Sequence, residues 1–250
     1  MVPIPLETPL LGLAEEHPSG FLIVPHQHDV PQLIYATQGV MTVETEQGAW
    51  VVPPQRAVWV PDRVVHSISM TGAVHFRTLY VKPRLAPIRT RDCGVVQVSD
   101  LLRACITRFF EFEEGWGSDR SRARVANVLL DEIRGAPTAP LYLPMPQDAR
   151  ALRVATEFRE DPSSRRTIQD WAKFAGMSER SLERLWPDQV QITFGRWQQQ
   201  ARLLRALELL ATGSSVTEVA LAVGFETASS FIEMFRRTMD TTPKRYFKSP

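Results

Sequence analysis

Four polar residues in the N-terminal part of the chain, His26, His28, Gln32 and His66, are spaced so that they could act together. Residues two apart on an extended segment project to the same side. His26 and His28 are therefore expected to point together, with Gln32 four residues on and His66 on a separate strand-like run. Imidazoles suit zinc, copper, iron or nickel, so a divalent transition metal held by His26, His28, Gln32 and His66 is one reading. Gln32 is a poor ligand, and no Asp or Glu completes the set, because Asp29 adjoins His28 and would face the other way. The same side chains could hydrogen-bond an organic effector or simply be satisfied core residues. Tyr35, Trp50 and Trp59 are candidates to line such a pocket, and packing is the ordinary role of large aromatics. A metal-dependent enzyme with a helical appendage is the alternative function, but it requires a catalytic acid or base that the pattern does not supply.

A second kind of chemistry lies in the C-terminal part, where Thr167 to Trp186 and Val216 to Phe235 follow one template. Each has an apolar-periodic helix, a Gly, a polar turn and another helix. Ile168, Ala172 and Gly176 recur as Val216, Ala220 and Gly224, an offset of 48 positions. Past the turn the offset is 49, so Leu182 and Trp186 answer to Phe231 and Phe235. Each copy reads as a helix-turn-helix, which lays its second helix in the DNA major groove. In the first copy Leu182, Leu185 and Trp186 take the apolar face and leave Arg180, Ser181, Glu183 and Arg184 outward. Arginine is the commonest bidentate reader of guanine.

The elements that must position these groups follow from texture. Residues 1–85 hold short runs rich in Val, Ile, Thr and aromatics, punctuated by Gly and Pro, as expected of an all-β barrel. Pro25, Pro31, Pro53, Pro54, Pro61 and Pro83 are expected at run ends, where a missing N–H costs least. Residues 86–140 contain two helical patterns, Asp100 to Glu114 and Ser118 to Arg134, turned by Gly-Trp-Gly at 115–117. This helical hairpin should pack on the barrel or on a second subunit. Gly135 to Gln147 carries four prolines and reads as a stiff linker. Residues 141–250 are all-helical, with Asp148, Thr167 and Ser178 as N-caps. A helix over Thr193–Thr212 would be ~28 Å long, close to the roughly 34 Å between successive major-groove faces of a duplex.

Composition narrows the classes further. With 44% apolar and 23% charged residues the chain is expected to be globular. No apolar run approaches a membrane span, and the first residues lack a signal-peptide pattern, so a cytoplasmic protein is expected. Cys93 and Cys105 have no metal-knuckle spacing and are expected to be reduced. The net charge of +1 hides an asymmetry. Residues 1–146 carry 13 basic and 15 acidic side chains, and residues 147–250 carry 16 and 13, a modest basic bias on the expected DNA-binding half.

The C-terminal hundred residues resemble the AraC/XylS family of transcription regulators. The resemblance rests on MSERSLERLW, FGRWQQQARLLRALELLATGSSVTEVALAVGFETASSF and FRRTMDTTPKRYF, including Phe235, Arg236, Arg237, Pro243 and Tyr246. Residues 20–83 are similar to the small cupin-like barrel of one subgroup, through H-x-H-D, QLIYA-x-x-G and PP-x-RAVWVP. The resemblance implies a multidomain α+β architecture: an N-terminal all-β cupin-like barrel plus helical hairpin, then an all-α domain with two helix-turn-helix motifs. It implies base reading by Arg180, Glu183 and Arg184 in the first motif and by Ala228, Ser229, Ser230 and Glu233 in the second. Arg236, Arg237, Lys244 and Arg245 have the character of phosphate contacts, which position without specifying. Expected partners are double-stranded DNA, a small-molecule or metal effector, RNA polymerase and a second copy of the chain. Two departures stand out. Pro187 is expected to end the first recognition helix early, with Pro187, Asp188, Gln189, Val190 and Gln191 where family members usually have a basic residue, a polar pair and a Gly that makes a cheap left-handed stop, and Asp240 likewise stands where Gly is usual.

Overall fold

The computed structural model describes residues 9–87, 93–113, 119–138 and 141–247. Contacts divide these into two units, one spanning residues 1–46 and 50–142 and the other residues 47–49 and 143–250. The helical hairpin thus belongs to the same unit as the barrel. The Gly-Trp-Gly turn lies outside the described residues.

The first unit is built from strands β1 (Leu10–His17), β2 (Leu22–His26), β3 (Gln32–Ala36), β4 (Val40–Thr45), β5 (Gly48–Val52), β6 (Arg56–Val60), β7 (His66–Thr71), β8 (Val74–Val81) and β9 (Gly94–Gln97), followed by helices α1 (Asp100–Glu113) and α2 (Asp119–Gly135). With β10 (Tyr142–Pro144) the strands form two five-stranded sheets, ordered β1-β8-β3-β6-β9 and β10-β5-β4-β7-β2. The helical hairpin covers the outer face of the first sheet. Leu102, Ile106 and Phe109 of α1 and Leu129, Leu130 and Ile133 of α2 share one buried cluster with Leu10, Leu33, Tyr35, Trp59, Leu79 and Val96. Gly12 makes this fit possible, because a Cβ there would stand 2.7 Å from the Phe110 ring.

Two sequence expectations change here. The Pro-rich stretch is more than a linker, since Tyr142–Pro144 is a strand beside β5. Leu141 and Leu143 are buried, and Tyr142 stacks on Trp50 at 4.6 Å. Pro25 lies inside β2 rather than at its end. The strand is at a sheet edge and its register shifts between Ile23 and His26, an irregularity that accommodates a residue unable to donate to the ladder.

The second unit contains α3 (Ala149–Glu160), α4 (Ile168–Ala175), α5 (Glu179–Val190), α6 (Phe194–Ala211), α7 (Val216–Ala222), α8 (Ala228–Met239) and α9 (Pro243–Tyr246). The duplication persists in the caps. Thr167 and Ser215 each close a capping box, with Asp170 and Glu218 three residues on, so two otherwise orphaned backbone donors are satisfied at each start. Ser178 and Thr227 cap α5 and α8 through the N–H groups of Ser181 and Ser230. Both second helices have 12 residues and end on a left-handed residue, Gln191 at φ 62° and Asp240 at φ 56°.

Pro187 does not end α5. The helix runs through it to Val190, although proline cannot supply the N–H to the carbonyl four residues back. Trp186 and Val190, both buried, flank the proline, and the packing of this face keeps the turn helical. The stop comes at Gln191 instead, without glycine. The left-handed conformation costs a side-chain-bearing residue about 1 to 2 kcal/mol, while glycine adds unfolded-chain entropy of about 0.5 to 1 kcal/mol. Gln191→Gly should therefore raise stability by about 0.5 to 1 kcal/mol, seen as a higher urea midpoint with an unchanged slope. Gly224 is different, because at φ 84° its missing Cβ would stand 3.1 Å from the Ser163 backbone. There glycine provides space as well as conformation.

Candidate functional site

Helix α5 is held by an aromatic cluster beneath it. Trp186 lies edge-on to Phe194 at 4.6 Å and to Trp197 at 5.1 Å, and Phe158 meets Trp171 and Trp197 at about 6 Å. Trp197 donates its indole N–H to the Pro144 carbonyl at 2.7 Å. Arg202 of α6 lies over the Phe158 ring and donates to the carbonyls of Pro162 and Ser164, fixing the loop that leads into α4. With Leu182, Trp186 and Val190 buried, the outer surface of α5 presents Arg180, Glu183 and Arg184 to solvent. Ser181 is half-buried, and its hydroxyl meets that of the N-cap Ser178 at 2.8 Å.

The second copy repeats this design with Phe231, Phe235 and Met239 buried and Phe225 against Phe231 at 5.7 Å. Its outward residues are Ser229, Ser230 and Glu233, with Ala228 half-buried. Ser230 spends its hydroxyl on the Thr227 carbonyl at 2.9 Å, and Glu233 is ion-paired with Arg237 one turn on. Arg236, Arg237, Lys244 and Arg245 are all exposed. Ser229, Glu233, Arg236 and Arg237 line one open concavity of about 500 Å³ together with Ile232. The two heads thus differ chemically. The first offers two exposed guanidiniums on its leading turns, whereas the second offers small hydroxyls followed by a cationic end.

The first unit draws His26, His28 and His66 together by a route different from simple strand alternation. His26 ends β2 and pairs across the ladder with His66, the first residue of β7. His28 lies beyond the strand, in a loop whose carbonyl at His28 accepts from the Arg63 N–H at 2.7 Å. The ring centroids are 4.3 Å apart for His26 and His66, 4.8 Å for His26 and His28, and 5.6 Å for His28 and His66. His26 Nδ1 lies 2.8 Å from the Val24 carbonyl and His66 Nδ1 lies 2.9 Å from that of Val64. A carbonyl only accepts, so in both rings Nδ1 carries a proton, and a neutral ring then holds its lone pair on Nε2.

His66 is 1% exposed and His28 is 7% exposed. His66 Nε2 and both nitrogens of His28 are buried without a hydrogen-bond partner, an arrangement that costs about 1 to 3 kcal/mol per unsatisfied group. Burial lowers the pKa of both to about 4, helped for His28 by the neighbouring His26 and His66 and for His66 by His26, against the hydrogen bond to Val64. Both are neutral at pH 7.

Gln32 is buried and donates to Thr78 Oγ1 at 2.8 Å, which leaves its Oε1 without a partner. Tyr35 and Trp59 are separated from this group. They join the core under the helical hairpin, on the strand face opposite Gln32, because neighbours one and three apart alternate. Burial raises the Tyr35 pKa. Trp50 is covered by Tyr142. The residue that the sequence reading missed is Tyr80, which stands edge-on to His28 at 4.9 Å and whose pKa burial pushes up to about 12. Its signal was the alternation of Phe76, Thr78 and Tyr80 along β8, directly opposite Gln32 in register.

Comparison with known proteins bears on both units. Residues 10–132 match the model of an AraC-like ligand binding domain, and residues 171–249 match that of a helix-turn-helix domain. The chain is 33% identical over 221 residues to the HTH-type transcriptional regulator NimR of Escherichia coli K12, covering 88% of this chain and 81% of that relative. It is 27% identical over 218 residues to the HTH-type transcriptional regulator RipA of Corynebacterium glutamicum, covering 86% of this chain and 61% of the relative. Among solved structures, ToxT from Vibrio cholerae aligns over 96% of this chain and 98% of its own with 10% identity and a TM-score of 0.41. The matched domains and the curated relatives are regulators, which removes the enzyme alternative. Among the described residues no helix is long and apolar enough to cross a membrane.

Proposed function

Since the chain belongs to the AraC family of DNA-binding transcriptional regulators and carries that family's ligand-binding domain, we propose that it reads one operator with two unequal heads under the control of an effector held in the barrel. The observation that carries this reading is the exposed arginine pair on α5, set over a fully buried aromatic base. Arg180 and Arg184 lie one turn apart on one face of the helix and would each take a guanine edge in the major groove. Helix α8, with Ser229 and Glu233 outward, contributes fewer base contacts, and Arg236, Arg237, Lys244 and Arg245 neutralise phosphates. Phosphate oxygens can replace Glu233 as the partner of Arg237, since an exposed pair within one helix is weak. Helix α6 has 18 residues, about 27 Å, a length that suits two heads on successive major-groove faces.

The chain works in the cytoplasm as a homodimer through the helical hairpin, where Leu101 and Val128 are exposed. Its effect on transcription passes through RNA polymerase.

Selection of duplexes from a random pool by the full chain tests this reading. The expected outcome is a motif with two elements about 10 base pairs apart, bound at least ~10³-fold tighter than scrambled duplex, with affinity falling steeply as salt rises. Equal affinity for selected and scrambled duplexes would overturn it.

A further inference from the structure

We propose that His26, His28 and His66 form a binding site for one divalent first-row transition ion, and that this ion is the effector of the barrel; the second clause rests on the regulator reading above, the first does not. Among the described residues, these three histidines are the group whose geometry could hold a metal ion, with one ring nitrogen from each within 4.8 Å of the others. Ligand nitrogens on a tetrahedral zinc ion stand roughly 3.3 Å apart, so small ring rotations close the set. The protons are already disposed for ligation. The Val24 and Val64 carbonyls hold Nδ1–H of His26 and His66, an outer hydrogen bond that leaves Nε2 as the nitrogen available for a metal. Packing alone does not account for the arrangement, because a core histidine normally satisfies its nitrogens, whereas His28 and His66 leave three of their four buried without a hydrogen bond to the ring's free positions. One cation would take a single lone pair from each of the three rings, since the neutral His28 ring offers one lone pair and keeps one N–H.

The backbone explains how the site is built. The register shift around Pro25 brings His26 opposite His66, and the Arg63 N–H ties the loop carrying His28 to the turn that precedes His66. Three imidazole donors without a carboxylate favour zinc, copper, iron or nickel over magnesium or calcium. A three-histidine set leaves a fourth position open to water or another small donor.

The test uses the full chain, stripped with a chelator, and cobalt(II) as the probe. The expected result is one cobalt per chain, visible absorption of a low-coordinate nitrogen site, and displacement by zinc. His66→Gln and His28→Gln should each abolish the absorption while keeping the thermal transition and the operator affinity of the stripped protein. No uptake by wild type, or uptake unchanged in both variants, would overturn the site. Zinc should change operator affinity of the wild type by 5-fold or more, as in typical effector coupling, and leave both variants unmoved. Stoichiometric uptake with no change in operator affinity would overturn the effector role. Sequence-specific operator binding by a wild-type chain that takes no ion would sink the metal proposal alone, and ion uptake by a chain without operator preference would sink the regulator reading alone.

Discussion

Trp186→Ala should destabilise the second unit by about 3 to 5 kcal/mol, the cost of truncating a fully buried large aromatic. Trp186 is 0% exposed and touches both Phe194 and Trp197 edge-on. Such ring pairs contribute about 0.5 to 1.5 kcal/mol each beyond their buried area. Its indole N–H has no hydrogen-bond partner, so the loss is one of packing. Against a typical total of about 5 to 15 kcal/mol, the remaining stability would be marginal. Urea unfolding followed by helical circular dichroism should show a much lower midpoint, and operator binding should fail at physiological temperature. Trp186→Phe keeps most of the ring and should lose under half as much. A wild-type midpoint for Trp186→Ala would mean that the aromatic cluster does not hold α5.

Removing Arg180 and Arg184 together should cost about 2 to 6 kcal/mol on the selected operator, from about 1 to 3 kcal/mol for each bidentate base contact. Stability should hardly change. Both side chains are exposed, and surface substitutions of this kind usually fall within about 0.5 kcal/mol. The contrast with Trp186→Ala separates support from reading. Removal of Arg236 and Arg237 should instead weaken binding to selected and scrambled duplexes alike and flatten the salt dependence, as expected for phosphate contacts. Titration of both double variants on both duplexes measures the difference.

The helical half was legible because its signals are local. An offset of 48 and then 49 residues carries through to the structure, where the N-caps of all four helices and the 12-residue length and left-handed stop of the second helices recur in register. Asp148, Thr167 and Ser178 cap the helices that their side-chain chemistry suggests. Pro187 was misleading because the burial of Trp186 and Val190 on the same turn outweighs a lost backbone bond, a tertiary effect that no local rule contains.

The barrel half was legible as strands but not as faces. The first sheet is buried on both sides, by the barrel interior and by the helical hairpin, so β3 reads QLIYA with every residue buried. Without polar alternation nothing in the string tells Tyr35 from Ile34, and a one-residue choice of face moves a side chain to the other side of the sheet. The histidines were found as neighbours, yet His28 reaches the others from a loop and His26 through an irregular edge strand. Strand β10 escaped notice because three residues in a proline-rich stretch carry no period to detect.

The first head is proposed to read bases through its exposed arginines. The most direct measurement is the affinity of wild type and Arg184→Ala for every single-base variant of the selected operator at two salt concentrations. Arg184→Ala should relax discrimination at one base pair by about 1 to 3 kcal/mol while the salt dependence stays that of the wild type. A uniform loss at all positions, with a shallower salt dependence, would make Arg184 a phosphate contact and contradict it.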